Sequence, residues 1–224
     1  MATLNNLVSE VLEHQFSVSQ YDPYVRGSTS TGREGILNQG LRYVAAQTDF
    51  RELFTAYDFS TSVGVATYAL PADFARLYGL TTVDGNQDTI PLFQEVIMDF
   101  QTRPDASGQP SQYTVIGNNL HLWPTPDAAY SMKLRYYKLP ALLTEPNDEP
   151  EIPSEYHHLL VSYALWHCYE RENDYQSAQY HKARFDEDLM KARGEVQYDT
   201  DDYTQFKRVG DNRTDPLAPN VWTV

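Results

Sequence analysis

A single cysteine, Cys168, stands in the 224 residues, which excludes an internal disulfide and any zinc site built on cysteine thiolates. Its neighbours in a predicted helix are apolar, so the thiol is expected to act as a small buried hydrophobe. No run approaches the roughly 18 apolar residues a membrane span needs, so no transmembrane helix is expected. The N-terminus has neither the basic region nor the apolar core of a secretory signal, and synthesis in a reducing cytoplasm is expected. Basic residues are scarce: 17 Lys and Arg stand against 31 Asp and Glu, for a net charge of −14. Sequence-independent affinity for nucleic acid comes from cations neutralising phosphates, so wrapping DNA directly is disfavoured, as is binding to an anionic membrane. Lining a passage along which DNA slides without sticking is compatible with this charge. The chain also lacks a Gly-x-Ser-x-Gly elbow, a Walker A loop and a dinucleotide fingerprint.

What is present is a globular composition, 41% hydrophobic and 21% charged, long enough for one large domain or two small ones. Leu4, Leu7, Val8, Val11 and Leu12 recur at helical spacing and predict a helix over about 3–14. The stretch from Ser17 to Ser30 is rich in Ser, Thr and Gly and contains Asp22-Pro23, which predicts a loop. Thr31 followed by Glu34 has capping-box spacing for a second helix that buries Leu37, Leu41 and Val44. Gly35 and Gly40 weaken that helix by about 1 kcal/mol each relative to Ala, so tertiary packing must hold it.

From Phe54 to Pro150 the periodicity changes. Val63, Val65, Thr67 and Ala69 alternate until Leu70-Pro71 ends the strand. A second strand is expected over Leu77 to Val83, turning at Asp84-Gly85-Asn86 into Ile90-Pro91-Leu92. Phe93 to Phe100 suits a short helix. Tyr113 to Ile116 and Leu120 to Trp123 flank Gly117-Asn118-Asn119, residues that tolerate positive φ in tight turns. Met132, Leu134 and Tyr136 alternate with Lys133, Arg135 and Tyr137, predicting a strand with one wet face. The Tyr136-Tyr137 pair must split, one ring to each face, leaving one exposed or at an interface.

Glu145 to Pro153 is acidic and carries three prolines, as an extended crossing would. Ser154 is then expected to cap a long helix with Leu159, Leu160, Tyr163 and Ala164 on its apolar face. Asn173-Asp174 marks a break and a new cap. Tyr175, Ala178, Phe185 and Leu189 continue at helical spacing to about Arg193, and Gly194 suits a helix stop. Residues 195–224 hold acidic residues and prolines punctuated by Tyr203, Phe206, Leu217 and Trp222. Extended, they reach on the order of 100 Å at ~3.3 Å per residue. The spaced aromatic and apolar residues read as anchors for a neighbour's grooves.

The titratable groups do not assemble into a reaction centre. His167 and Glu170 have helical metal-ligand spacing, but no second pair among His157, His158 and His181 completes a set. Asp199 and Asp201 sit in a polar tail without the desolvation that raises a carboxyl pKa for acid-base work. No catalysis, metal or cofactor is expected. The 17 tyrosines allow a stacking platform for sugars or single-stranded bases. Most share faces with aliphatic residues, so packing is the economical reading. A carbohydrate- or receptor-binding module built on the Tyr-rich β-domain stays open as the alternative.

Several phrases, in order, resemble the head-to-tail adaptor (connector) proteins of tailed bacteriophages, including those called tail tubular protein A. They are Ile36-Leu37-Asn38 with Leu41, Tyr68-Ala69-Leu70-Pro71-Ala72-Asp73-Phe74, and Gly108-Gln109-Pro110 ahead of Tyr113. Trp123-Pro124-Thr125-Pro126, Leu134-Arg135-Tyr136-Tyr137 and Ile152-Pro153-Ser154-Glu155-Tyr156-His157 follow, so the likeness covers about residues 31–193. It implies a helical bundle with an inserted β-domain, assembled as a homo-oligomeric ring, commonly of twelve copies. Such a ring sits beneath the portal protein in the virion and meets a tail or nozzle protein, while DNA passes through without specific binding and no membrane is involved. It also suggests that the C-terminal arm, with Tyr203, Phe206, Leu217 and Trp222, docks on the portal or a neighbouring subunit.

The expected fold class is therefore α+β. Residues 1–52 and 153–194 are expected to form one helical bundle, 53–152 an antiparallel β-rich insertion and 195–224 an extended docking arm. Ring closure needs two different faces on each subunit, so a lone subunit should expose apolar or aromatic patches.

Overall fold

Leu4, Leu7, Val8 and Val11 lie on one side of the first helix, α1 (Leu4–Leu12), and all four are buried. Thr3 caps it, its hydroxyl oxygen accepting from the Asn6 amide at 3.4 Å. The structure, a computed structural model, describes residues 2–14, 16–28, 33–83 and 89–205.

The stretch expected to be a loop is largely helical: α2 spans Val18–Arg26, with Pro23 inside it. Proline removes one backbone donor and lowers helix propensity, but Tyr21 and Val25, four residues apart, are buried in the core. The Tyr21 hydroxyl also donates to the Glu172 carboxylate. Tertiary packing overrides the local breaker. A two-residue antiparallel ladder, β1 (Gly27–Ser28) with β2 (Arg33–Glu34), follows. Glu34 is therefore in a strand and forms no capping box, and Thr31 lies outside the described residues. Helix α3 (Ile36–Gln47) starts from Gly35 without a side-chain cap. A Cβ on Gly40 would stand 2.9 Å from the Tyr163 ring, so this glycine permits close helix approach.

Asn38 on α3 is buried and bonds reciprocally with Leu143: its Nδ2 donates to the Leu143 carbonyl at 2.9 Å, and its Oδ1 accepts from the Leu143 amide at 2.8 Å. Asn38→Ala leaves both backbone groups buried and unpaired, at about 1 kcal/mol each. A loss of about 2 kcal/mol in denaturant titration is expected, and a neutral result would refute this anchoring of the crossing.

The crossing itself is pinned at several points. Its carbonyls at Asp148 and Pro146 accept from the Leu4 and Asn5 amides at 2.8 and 3.1 Å, satisfying donors that a helix start leaves free. The Asp148 carboxylate accepts from the amides of Glu145 and Thr144, bonds that hold its pKa below the usual carboxylate range. Lys138 and Glu151 pair at 2.6 Å.

Two four-stranded sheets lie between the helical segments. One has the order β3 (Phe54–Ser60), β10 (Ser131–Lys138), β5 (Phe74–Val83), β6 (Thr89–Pro91), all antiparallel. The other runs β4 (Thr67–Ala69), β9 (Asn119–Trp123), β8 (Gln112–Ile116), β7 (Phe93–Gln94), and β7 pairs parallel to β8. Their facing sides share one core that includes Leu80, Met132, Leu134, Leu120 and Leu122. The β8–β9 hairpin turns at Gly117 with φ 61°, as its residue types require. β5 and β6 pair as the sequence predicts, although residues 84–88 of the turn lie outside the described residues.

Two expectations in this region, one strand and one helix, need correction. Val63 and Val65 belong to a turn, exposed to solvent, and only Thr67–Ala69 is strand. That turn is held by its surroundings: the Gly64 amide donates to the Pro126 carbonyl at 2.8 Å and the Thr61 amide to Tyr130 at 3.0 Å. Over Phe93 to Phe100, β7 comes first and only the five residues of α4 (Ile97–Gln101) are helical.

Tyr136 and Tyr137 part as alternation demands. Tyr136 enters the sheet core and donates to Asp73 at 2.9 Å; burial, aided by that carboxylate, pushes its pKa up to about 12. Tyr137 packs on the helical core, so it sits where the two cores meet.

A 3-10 turn, Ser154–Tyr156, precedes α5 (His157–Arg171), so Ser154 is not that helix's cap. Asn173, at φ 61°, separates α5 from α6 (Tyr175–Gln205), and Asp174 caps α6 by accepting from the Ser177 amide at 3.1 Å. Helix α6 does not stop at Gly194, and residues 195–205 are helical rather than extended. Ala192 and Val196 pack on the core on both sides of the glycine, and Tyr156 donates to Glu195 at 3.0 Å. These contacts offset the roughly 1 kcal/mol that glycine costs a helix. Side chains from all helices except α4, with Leu143 and Ile152 of the crossing, form the second core.

Candidate functional site

Of the four residues assigned to docking, Tyr203 falls within the backbone of α6, and Phe206, Leu217 and Trp222 lie outside the described residues. Asp199 and Asp201 also fall in α6.

The histidines are engaged separately. His157 shares a hydrogen with the Ile152 carbonyl at 3.0 Å, His158 with the Glu155 carbonyl at 2.7 Å, and His167 with Glu170 at 3.1 Å. His181 stacks on Tyr169 with ring centres 5.2 Å apart and meets His14 edge-on at 5.8 Å. Among the described residues no group of three or more His, Cys, Asp or Glu is placed to hold a metal ion. Cys168 is fully buried, and desolvation raises its pKa to about 12, which leaves the thiol protonated and unreactive.

His181 and His167 carry a pH dependence. Burial lowers both pKa values; His14 and Arg184 add to the effect at His181, whereas Glu170 opposes it at His167. Each therefore binds a proton more weakly folded than unfolded. Their contribution to stability is complete above about pH 6.5 and is lost as pH falls through the folded values. The melting temperature is expected to fall as pH drops from 7 to 5.5, and less steeply in His181→Gln. A wild-type curve that stays flat to pH 5 contradicts this.

What the subunit offers is surface. Phe93, Val96, Ile97 and Met98 are 60%, 67%, 42% and 75% exposed, and α4 buries no side chain of its own. This β7–α4 platform is nonetheless anchored. Arg103 forks onto Glu95, with Nε 2.8 Å from Oε2, and lies 4.5 Å over the Trp123 ring. Thr114 donates to the Glu95 carbonyl at 3.0 Å. A second apolar set lies on α6, where Tyr175, Tyr180 and Met190 are exposed. Aromatic rings also reach solvent between α3, α5 and α6, where half-exposed Tyr43 stacks on Tyr163 at 5.8 Å and Lys182 lies 5.0 Å over Trp166. The platform's signal was in the sequence, as four large apolar residues within six positions, but the expected short helix would have turned part of them inward.

An open cavity of about 370 Å³ between β3 and β10 is lined by Asp58, Phe59, Ser60, Ser131, Met132 and Lys133. Its charged groups are tied to each other, Lys133 and Asp58 standing 3.6 Å apart. No helix among the described residues is long and apolar enough to cross a membrane.

The described residues thus carry an anchored apolar platform and a second apolar helix face, surface of the kind through which proteins meet one another. No curated protein matches the chain. A family model described as SU10 adaptor protein matches residues 18–214, from α2 through the whole of α6. With most of its length inside that match, the chain belongs to the SU10 adaptor protein family, a family of phage head-to-tail adaptors.

Proposed function

We propose that the chain closes into a ring at the head-to-tail junction of the virion, joins the portal to a tail or nozzle protein, and keeps the DNA exit aligned. The observation that carries this reading is the adaptor-family match over residues 18–214. The exposed apolar surfaces on the β7–α4 platform and on α6 support it, because ring closure needs two distinct contact faces. Twelve copies is the number the family resemblance suggests. The net charge of −14 suits a lumen that repels passing DNA rather than binding it. The role is structural, with no cofactor and no chemistry.

In this reading residues 53–152 form a β-rich insertion carried by helical parts 1–52 and 153–194. The docking arm begins beyond α6, so residues 206–224 bring Phe206, Leu217 and Trp222 to the portal or a neighbouring subunit, with Tyr203 at the base.

Electron microscopy of the full chain mixed with its portal is expected to show a ring capping the portal. Deleting residues 206–224 is expected to abolish portal binding while leaving the fold intact by circular dichroism; unchanged binding would sink the arm assignment. A chain that stays monomeric beside its portal and binds glycans would instead be a carbohydrate- or receptor-binding tail module.

A further inference from the structure

The end of α6 divides the C-terminal tail by charge. Glu195, Asp199, Asp201 and Asp202 fall within the helix. Beyond it, residues 206–224 hold Lys207, Arg208 and Arg213 against Asp211 and Asp215. That segment is net +1, so the chain's net −14 is −15 over residues 1–205. It also carries Phe206, Val209, Leu217, Val221 and Trp222. At ~3.3 Å per residue it reaches roughly 60 Å, more than the roughly 45 Å breadth of a compact chain of this length.

The β7–α4 platform joins an apolar patch to unmatched acids. Phe93, Val96, Ile97 and Met98 lie within six positions, and the one charge among them, Glu95, is neutralised by Arg103. Asp99 and Asp105, exposed in the same segment, form no ion pair among the described residues. The outer face of α6 differs. Glu187 lies between Tyr180 and Met190, and Lys191 and Arg184 already pair with Glu187 at 2.7 Å and Asp188 at 3.8 Å. Its apolar residues are interrupted by charges that satisfy one another, whereas the platform's acids still want cations.

We propose that residues 206–224 of one copy dock on the β7–α4 platform of the next copy. The contact rests on the ring reading above and chooses the neighbouring subunit, not the portal, as the arm's seat. Two bodies of charge −15 repel wherever acidic surfaces approach. A terminal segment of opposite sign links them without bringing those surfaces together. Lys207, Arg208 and Arg213 answer Asp99 and Asp105, while Phe206, Leu217 and Trp222 cover the apolar patch with the aromatic centre typical of interface cores. Arm and platform are each used once per subunit, so the contact repeats head to tail and closes a ring.

A charge swap in the full-length chain tests this, read by sedimentation velocity at fixed salt while microscopy records whether rings form. Asp99→Lys with Asp105→Lys moves the net charge from −14 to −10, which by itself would ease association. The proposal expects the opposite: the concentration for half-assembly rises by about tenfold or more, because like charges then face each other. Reversing Lys207, Arg208 and Arg213 to Glu is expected to do the same, and combining both sets to restore assembly. Unchanged or tighter assembly of the lysine variant, or no restoration in the combination, overturns the contact. Cysteine cross-linking separates neighbour from self, with Cys168 silent because it is fully buried. Met98→Cys and Thr223→Cys chains, mixed and mildly oxidised, are expected to give disulfide heterodimers. A disulfide that forms only within one chain carrying both substitutions puts the arm on its own platform and overturns the proposal. Rings that form equally well in every variant overturn this contact but leave the ring reading standing. A chain that stays monomeric under all conditions removes the ring reading, and this contact with it.

Discussion

Phe185→Ala is expected to destabilise the subunit by about 3–5 kcal/mol, the range for truncating a buried phenylalanine. For a chain of this length that lowers the melting temperature by roughly 6–20 °C. Phe185 is fully buried on the inner face of α6. Its ring centre lies 5.4 Å from that of Tyr163, 5.9 Å from Tyr43 and 6.4 Å from Trp166, so one residue ties α6 to both α3 and α5. Tyr43 and Trp166 reach the surface and can relax partly into the space, which favours the lower half of the range. Phe185→Leu keeps most of the volume and is expected to cost under about 1.5 kcal/mol. Urea titration of both variants is the check; a cost below 1.5 kcal/mol for alanine would mean that α6 is not seated on these helices.

Gly35→Ala is expected to cost about 3 kcal/mol, the upper end for overpacking. The added Cβ would stand 2.2 Å from the Arg26 carbonyl carbon, 2.3 Å from its oxygen and 2.5 Å from the Gly27 nitrogen. These are backbone atoms of the α2 terminus, locked by the ladder that pairs Gly27 with Glu34, and no side-chain rotation relieves the clash. The φ of Gly35 is −71°, so the cost is steric rather than torsional. Gly40→Ala is the control. Its Cβ would stand 2.9 Å from the Tyr163 ring rather than inside backbone, a smaller overlap that a shift of a few tenths of an ångström relieves, and alanine returns up to about 1 kcal/mol of helix propensity. Thermal melts should rank Gly35→Ala well below Gly40→Ala, and the reverse order would contradict the close approach of α2 to α3.

Both predictions concern joints that local sequence patterns do not mark. Gly35 and Gly40 look alike as helix weakeners, yet one faces backbone at 2.2 Å and the other a side chain at 2.9 Å. Pro23 has every local sign of a loop, but Tyr21 and Val25 fill the core from the helix that contains it. Gly194 has every sign of a stop, and the packing of Ala192 and Val196 carries the helix past it. The residues read as docking anchors were legible only as spaced aromatic and apolar side chains in an acidic tail, and Phe206, Leu217 and Trp222 lie outside the described residues. The β7–α4 platform escaped notice for the opposite reason: its residues look like core, and only the absence of a covering layer makes them surface.

By itself the sequence determined the acidic charge that disfavours nucleic-acid binding, the inert single thiol, and the strand whose Met132, Leu134 and Tyr136 alternate into a core. It also determined the hairpin at Gly117 and the order of phrases that points to an adaptor. These rest on residue chemistry or on periods of two and 3.6 residues, which are local properties of a chain. Tertiary structure alone decided where helices end, which residues of 63–69 are strand, which apolar residues stay uncovered, and that Tyr136 and Tyr137 serve two different cores. Those outcomes depend on what lies opposite each side chain in space, and a pattern along the chain shows that a face is apolar without showing what, if anything, covers it.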